Sequence, residues 1–435
     1  MSSGEESFID TSISDPEVAE KFKLAGEIAD QVLNKVVSQC KPGKGIALLC
    51  TRSDNLILKK LSLCKFKECK NGIAFPTSIS FGEMTGDYSP LEKNDQRKIQ
   101  NGDLLKIDLG VHIDGYPAIV CYPIVVGNSE TNPITGEVAD LFEGGEKIME
   151  QCIENFRPGK TNFDITELVE KIAKEYGINP VSQVYSHSMQ RNTDEGERKI
   201  SMCGDGELDL ENVIIQENET FTLDVLMTTG SPKKFDDDVR TTIFKRDPEA
   251  NYQLQSRVGR QVFSYIRKNK ITFPFHIKSL SSFKNASFAC NECTKAGLFI
   301  PYEVEKELNQ KPIINFKATI CVLNDSTIKI SGISTPKLFI KSNRNSENNV
   351  ETEKNENEKE KVNEKEENTS ENKVEKKEEE KKETEEKNNK DKGRGKGRGR
   401  GRGRGKGKGK GKGKGRGRGK RKGKGKKKKG KKKKY

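Results

Sequence analysis

Val18, Phe22, Ala25, Ala29, Val32 and Val36 recur at helical spacing, and Asp15 before Pro16-Glu17 makes a capped start. The first predicted element is therefore an amphipathic helix over Pro16–Cys40, ended by Lys41-Pro42-Gly43-Lys44. Ile46–Leu61 predicts a second helix, of mixed polarity, and Gly72–Ser80 a strand. Leu104–Val126, LLKIDLGVHIDGYPAIVCYPIVV, is apolar and β-branched on both sides of Asp114-Gly115, a tight-hairpin signal. A turn closed there sets Ile113 opposite Tyr116 and Asp108 opposite Cys121. It also puts Asp108 and its diagonal neighbour Ile119 on one face. Helices follow over Ala139–Asn155, stopped by Arg157-Pro158-Gly159, and Ile165–Tyr176, stopped by Gly177. Strands are predicted over Val213–Val225 and Arg240–Phe244. Asn251–Leu308 changes character, with helical patterns around Val258–Lys268 and Ala286–Ala296 on either side of Thr272-Phe273-Pro274-Phe275. Strands return at Asn315–Leu323 and Thr327–Ile333.

The pattern stops after Ser342. Residues 341–391 carry 13 Lys+Arg and 18 Asp+Glu, with almost nothing apolar, so they cannot bury enough surface to fold. Residues 392–435 hold 26 Lys+Arg and no acid, largely alternating with glycine, which forbids a stable helix. The formal charge of +14 therefore divides into +26 on the tail, −5 on the linker and −7 on the body. A mildly acidic body with a polycationic tail calls for a polyanionic partner, nucleic acid first. The expected order is a disordered lead over 1–15, a folded body over 16–340, a disordered Glu/Lys/Asn-rich linker over 341–391 and a basic tail over 392–435.

The acidic, polar opening MSSGEESFIDTS has no signal-peptide character, and no apolar run approaches the roughly 18 residues of a membrane span. Cys290-Asn-Glu-Cys293 is the one C-x-x-C among ten cysteines, without a second pair or a spaced histidine pair to complete a zinc site. A soluble, intracellular, thiol-reduced protein is expected. The remaining chemistry centres on Asp108, because a carboxylate inside an apolar strand is costly unless it is paired or binds something.

Gly72–Ser80, Tyr88-Ser89-Pro90 and KIDLGVHIDGY together resemble creatinase/aminopeptidase chains of the pita-bread fold, over roughly residues 22–332. The likeness is to type II methionine aminopeptidases and, through DVLMTTG and RTTIFKRDP, to their non-peptidase relatives, the proliferation-associated, ErbB-receptor-binding proteins. The resemblance implies an α/β pita-bread fold with a small helical insert domain over about 251–308 and a disordered C-terminal tail. It also implies where two metals would sit. Asp108 matches the first metal aspartate. The second lies eleven residues on, where this chain has Ile119. His187 matches the metal histidine. Asp224 stands for a glutamate, one methylene shorter, and Lys317 replaces the last glutamate ligand. Asp87 takes the place of a further catalytic histidine.

With Ile119 and Lys317 in the ligand set, a two-metal centre is not expected, since its ligands act as a unit. No metal or other cofactor is expected, and Lys317 is expected to reach Asp108 or Asp224. The basic tail is expected to bind RNA through phosphates, at Lys392, Arg394, Lys396, Arg398, Arg400, Arg402, Arg404, Arg416, Arg418, Lys420, Arg421 and Lys422. The resemblance implies rRNA, ribosomes or pre-ribosomal large subunits as partners, with protein partners on the insert. It further implies residence in cytoplasm, nucleus and nucleolus, and roles in ribosome biogenesis, translation and growth control. Two alternatives compete. One is a metal-dependent aminopeptidase holding one ion at Asp108, His187 and Asp224. The other is a transcriptional co-regulator acting on DNA or chromatin through the tail.

Overall fold

The computed structural model describes residues 12–342, apart from residue 96 and residues 205–210. The tail positions Lys392 to Lys422, the linker after 342 and the opening residues 1–11 lie outside the described residues. The helices are α1 (Pro16–Gln39), α2 (Ile46–Leu61), α3 (Glu137–Asn155), α4 (Asn162–Tyr176), α5 (Arg257–Lys268) and α6 (Ala286–Lys295). The strands run β1 (Gly72–Phe81), β2 (Leu104–Ile113), β3 (Tyr116–Val125), β4 (Ile134–Thr135), β5 (Asn179–Pro180), β6 (Tyr185–Met189), β7 (Lys199–Ser201) and β8 (Thr220–Thr228). They continue as β9 (Lys234–Asp236), β10 (Ile243–Arg246), β11 (Phe275–His276), β12 (Phe299–Tyr302), β13 (Glu305–Glu307), β14 (Ile313–Val322), β15 (Thr327–Lys329) and β16 (Ile340–Lys341).

Asp15 caps α1 through its Oδ1, which accepts from the amides of Glu17 and Val18. Thr161 and Asp164 form a reciprocal capping box on α4. The hairpin turns at Asp114 (φ 53°) and Gly115 (φ 85°), both left-handed as a tight primed turn requires. Its register is Ile113 with Tyr116 and Asp108 with Cys121. The main antiparallel sheet has the order β1-β2-β3-β14-β8-β6-β7, with β15 added on β14 and β5 on β8.

One face of this sheet is the core. Helix α1 packs on β2 and β3, α2 on β1, and α3 on β14 and β8. Phe22 meets Tyr116 with ring centroids 5.3 Å apart, and Phe142 meets Phe316 at 6.3 Å. A second, smaller core gathers Phe244, Leu254, Val262, Ile266, Phe275, Leu280, Cys290, Cys293 and Phe299 around α5, α6 and the three strands β11-β10-β12. Cys290 and Cys293 are buried here, each thiol pushed up to about 12 by burial, and they serve as packing.

Two interactions tie the ends of the body together. The Asp30 carboxylate accepts from the amides of Gly332, Ile333 and Ser334 at 2.7, 3.0 and 3.1 Å. Gly26, in mid-α1, sits where a Cβ would run into the backbone carbonyl of Ile330. Deep in the sheet, Lys106 is 2% exposed and is in no ion pair among the described residues; its ammonium donates to the carbonyls of Phe81, Gly82 and Ile313 at 3.1, 2.9 and 3.0 Å. It joins the end of β1 to the start of β14, and burial pushes its pKa down to about 7.

The structure corrects the bounds of three expected strands: Arg240–Phe244 lies later, as β10 over Ile243–Arg246, Thr327–Ile333 ends at Lys329, and Val213–Val225 departs most. The expected span Val213–Val225 starts too early, and β8 begins only at Thr220. Val213 and Ile215 instead pair with the loop before α4, where the Asn162 amide donates to the Val213 carbonyl and the Ile215 amide to that of Lys160. Left-handed Asn218 (φ 64°) then separates that stretch from β8.

Replacing Gly26 by alanine tests the seat of α1. Helix propensity alone favours alanine by about 1 kcal/mol. Overpacking against a backbone carbonyl costs about 1–3 kcal/mol and the backbone has no rotamer to yield. Urea unfolding is expected to show Gly26→Ala less stable than the parent; equal or greater stability would mean the helix is not seated there.

Candidate functional site

Five strands bring one row of residues to a single face. Ser78 is the register partner of Asp108, Asp108 of Cys121, Cys121 of Lys317, and Lys317 of Asp224. Directly opposed residues share a face. On β14 the even positions Ile314 and Phe316 meet Gly145 of α3, so Asn315 and Lys317 look the other way. The row therefore lines the face of the sheet opposite the helices.

Lys317 is the centre of that row. Its Nζ lies 2.9 Å from Asp108 Oδ2 and 3.1 Å from Asp224 Oδ2, and 5.8 Å from the Phe75 ring centroid. Burial alone would push this ammonium down, but Asp108 and Asp224 hold it well above its ordinary value. Burial pushes Asp224 up against the pull of Lys317. Asp87 stands beside the cluster with a left-handed φ of 64°, and burial pushes its carboxyl up to about 7 against the charge of Lys317. The outer oxygens Asp108 Oδ1 and Asp224 Oδ1 accept no hydrogen bond among the described residues.

Ile119 is 6% exposed and shares that face, since its register partner Gly110 is two residues from Asp108 and a Cβ there would lie 3.1 Å from Ile119 Cγ1. It presents methyl groups to that face and no ligand oxygen. His187 sits on β6 opposite Thr222, but its Nδ1 turns to the Gly196 carbonyl at 3.4 Å, and no hydrogen bond joins it to the Lys317 cluster. Burial pushes the imidazole down, so it is neutral at pH 7. Among the described residues, no group of three or more His, Cys, Asp and Glu is placed to hold a metal. Two carboxylates that already share one ammonium do not fit a pair of dications, which the positive charge would repel.

A second network, carried by no local motif, closes the same cleft. Lys245 Nζ lies 2.7 Å from Asp194 Oδ1 and 2.9 Å from Glu195 Oε2. Tyr302 OH donates to Glu195 Oε1 at 2.9 Å, and its ring meets Phe75 at 5.5 Å. These residues come from β10, β12 and the loop after β6, and only the fold unites them.

The other chemically distinctive surface is α5. Its sequence RVGRQVFSYIRK has four cations and no acid. Arg257, Arg260 and Lys268 line one groove with Tyr265 and Lys284, and Arg260 and Arg267 line another with Tyr252. Tyr252 is 53% exposed and Tyr265 38%. Tyr265 also meets Phe283 edge-on at 5.4 Å, which fixes its ring.

Metallopeptidase family M24 matches residues 20–242. The curved DNA-binding protein of Schizosaccharomyces pombe is 32% identical over 348 residues, 79% of this chain and 90% of that protein. Proliferation-associated protein A of Dictyostelium discoideum is 32% identical over 332 residues, 76% of this chain and 86% of that protein. The solved structure of a thermophilic Arx1 superimposes with a TM-score of 0.67 at 28% identity, covering 74% of this chain and 92% of that one. The chain belongs to metallopeptidase family M24, the pita-bread proteins. Within the family it falls with the proliferation-associated proteins, the non-peptidase relatives of the methionine aminopeptidases.

Lys317→Met removes the shared cation and leaves two carboxylates facing each other. Breaking a buried pair costs about 3–5 kcal/mol, whereas Lys295→Met, at an exposed position, is expected to cost little. The folded pKa of Lys317 lies above its ordinary 10.5, so its contribution is fully present at all lower pH and fades only above that. In the variant the deficit shrinks on acidification, as Asp224, already held above its ordinary 3.8 by burial, takes up a proton. Thermal unfolding of both variants between pH 5 and about pH 8 checks this; a Lys317→Met protein that melts with the parent at neutral pH removes the argument.

Proposed function

We propose that this is a catalytically inactive aminopeptidase-like protein that binds RNA and ribosomal or pre-ribosomal particles and acts in ribosome biogenesis, translation and growth control. The observation that carries the inactive half is the Lys317 ammonium, within 2.9 and 3.1 Å of the Asp108 and Asp224 carboxylates. On this reading Asp108, Ile119, His187, Asp224 and Lys317 are the five positions of a former metal site. Ile119 and Lys317 are the two that no longer supply a ligand. A fold whose enzymes need two bridged dications cannot activate water there.

The binding half rests on charge. The tail from Lys392 to Tyr435 supplies 26 cations without an acid, suited to phosphates in any sequence. Helix α5 adds arginines beside exposed tyrosines, and aromatic faces stack on unpaired bases as the tail's glycines cannot. The division into a body over 16–340, an insert over about 251–308, a linker and a basic tail is part of this proposal, as is residence in cytoplasm, nucleus and nucleolus. One observation favours a second reading, in which the polyanion is DNA: a relative at 32% identity bears the name curved DNA-binding protein.

The purified chain is expected to release no methionine from a Met-Ala-Ser peptide with cobalt, manganese or zinc added. Turnover that a chelator abolishes and metal restores would overturn the inactive reading.

Deleting 392–435 is expected to leave thermal unfolding unchanged and to weaken binding to rRNA. It is also expected to flatten the dependence of log K on log salt, by about 0.7 for each single-strand phosphate that the tail had neutralised. Charge reversal at Arg257, Arg260, Arg267 and Lys268 in the truncated chain is expected to remove most of what remains. Duplex DNA of equal length, competed against rRNA, separates the two readings. Equal affinity and slope with and without the tail would put the whole interface on the body.

A further inference from the structure

On the insert side of the sheet, a cavity of about 450 Å³ opens between α2, the first residues of β1, the far end of β2 and the segment Lys270–Ser279. That is within the range of small-molecule sites, about 300–1,000 Å³. It lies at the opposite end of β2 from Lys106, and Asp108 and Lys317 are not among its lining residues. Its walls are apolar: Leu58, Ile73, Pro76, Ile271, Phe273 and Phe275. Phe273 is stacked on His112, with centroids 4.6 Å apart and planes 27° from parallel, so one wall is a preformed flat surface.

The two histidines of the lining are fixed and uncharged. His276 Nε2 lies 2.8 Å from the Ser89 carbonyl, and its Nδ1 accepts from the Lys278 amide. His112 Nδ1 accepts from the Gly115 amide at 3.3 Å, which puts its proton on Nε2 and leaves that N–H as a donor without a partner among the described residues. Burial pushes both imidazoles down to about 4.

The charge at the rim is unbalanced. Of its three lysines, Lys278 is answered by Asp54, 3.1 Å away, and Asp54 is also committed to the Thr77 amide. Lys70 and Lys270 are in no ion pair among the described residues. They are held together instead, because the Lys70 ammonium donates to the Lys270 carbonyl at 2.7 Å, and Lys270 adopts a left-handed φ of 49°. Burial and the charge of Lys270 both push the Lys70 pKa down. Two like charges beside a stacked apolar wall, with a lone N–H donor, are complementary to one kind of small molecule.

We propose that this cavity binds a small amphipathic organic acid, an aromatic or medium-chain carboxylate, whose apolar body lies against the Phe273–His112 wall and whose anionic head meets Lys70 and Lys270. Apolar contact supplies the affinity, and the paired ammonium groups fix the orientation. Inorganic phosphate has no apolar body to lie against this wall, so phosphate alone is a poor ligand.

The test uses the full chain at fixed ionic strength, with anilinonaphthalene sulfonate as an aromatic anionic probe read by fluorescence. Octanoate is expected to displace the probe, and inorganic phosphate, which competes for the tail's cations but has no apolar body, to leave it bound. Lys70→Gln with Lys270→Gln is expected to weaken octanoate competition by about tenfold or more, as loss of a charged hydrogen bond does. Octanol, the uncharged counterpart, is expected to compete equally with parent and variant. Both lysines are exposed, so the double variant keeps its fold, checked by thermal unfolding. Amide exchange with octanoate is expected to slow at residues 70–73 and 270–276. The proposal is overturned if the double variant competes within about twofold of the parent, if phosphate displaces the probe as well as octanoate does, or if the slowed amides lie elsewhere.

Discussion

A single ammonium group between two carboxylates decides what this fold can do. In a flat sheet, strands repeat at about 4.8 Å, so Asp108 and Asp224, three strand intervals apart, would stand roughly 14 Å from each other at their Cα atoms. Two short aspartate arms cannot meet across that span, and the carboxylates need a mediator. In this chain the mediator grows from one of the two strands between them. Lysine suits that place for a geometric reason. Position 317 is one interval from Asp224 and two from Asp108, so a long, flexible stem can lean toward the farther partner and still touch the nearer one. The short arm of Asp224 fits the same arrangement, since a neighbour on the adjacent strand needs little reach.

The rest of the cleft conforms to that choice. Ile119 fills space beside the cluster with methyl groups, and His187 directs its ring to a backbone carbonyl. Phe75 lies under the lysine and against Tyr302, which is tied through Glu195 to Lys245 and Asp194. Two adjoining charge networks result, one within the main sheet and one linking β10 and β12 to the loop after β6, each with its cation enclosed by carboxylates. Such buried pairs confer little net stability over an apolar core, yet they penalise any rearrangement that separates the partners.

How much of this was legible beforehand differs residue by residue. The turn at Asp114-Gly115 set the hairpin register, and with it the pairing of Asp108 and Cys121, because side-chain period and turn type leave one solution. Helices α1 to α6 were legible within a few residues from apolar spacing, caps and stops. The bond from Lys317 to Asp108 was approachable only through the family resemblance, since nothing local says that β14 inserts between β3 and β8. Strand β6, YSHSM, was missed because five mostly polar residues carry no periodic signal. Val213–Ile215 misled because an apolar β-branched triplet reads as strand wherever it falls; here only Ile215 is buried and Ile214 stays half-exposed. The network of Asp194, Glu195, Lys245 and Tyr302 was invisible, as its members span more than a hundred residues and share no motif. The cavity beneath α2 was hidden for the same reason.

The seat of α1 bears on how the chain reaches this state. Asp30 and Gly26 find their partners at Ile330 to Ser334, some three hundred residues downstream. Strand β14, which carries Lys317, is likewise inserted between strands made much earlier. Closure therefore demands pairings of long sequence separation, the kind that folds slowly. During synthesis α1 finds β2 and β3 early, but the edge of β3 that β14 covers, and the partners of Gly26 and Asp30, wait until the last strands of the body emerge. Completion of the sheet falls to one of the last strands made, and until then the facing edges of β3 and β8 stand open to a stray strand.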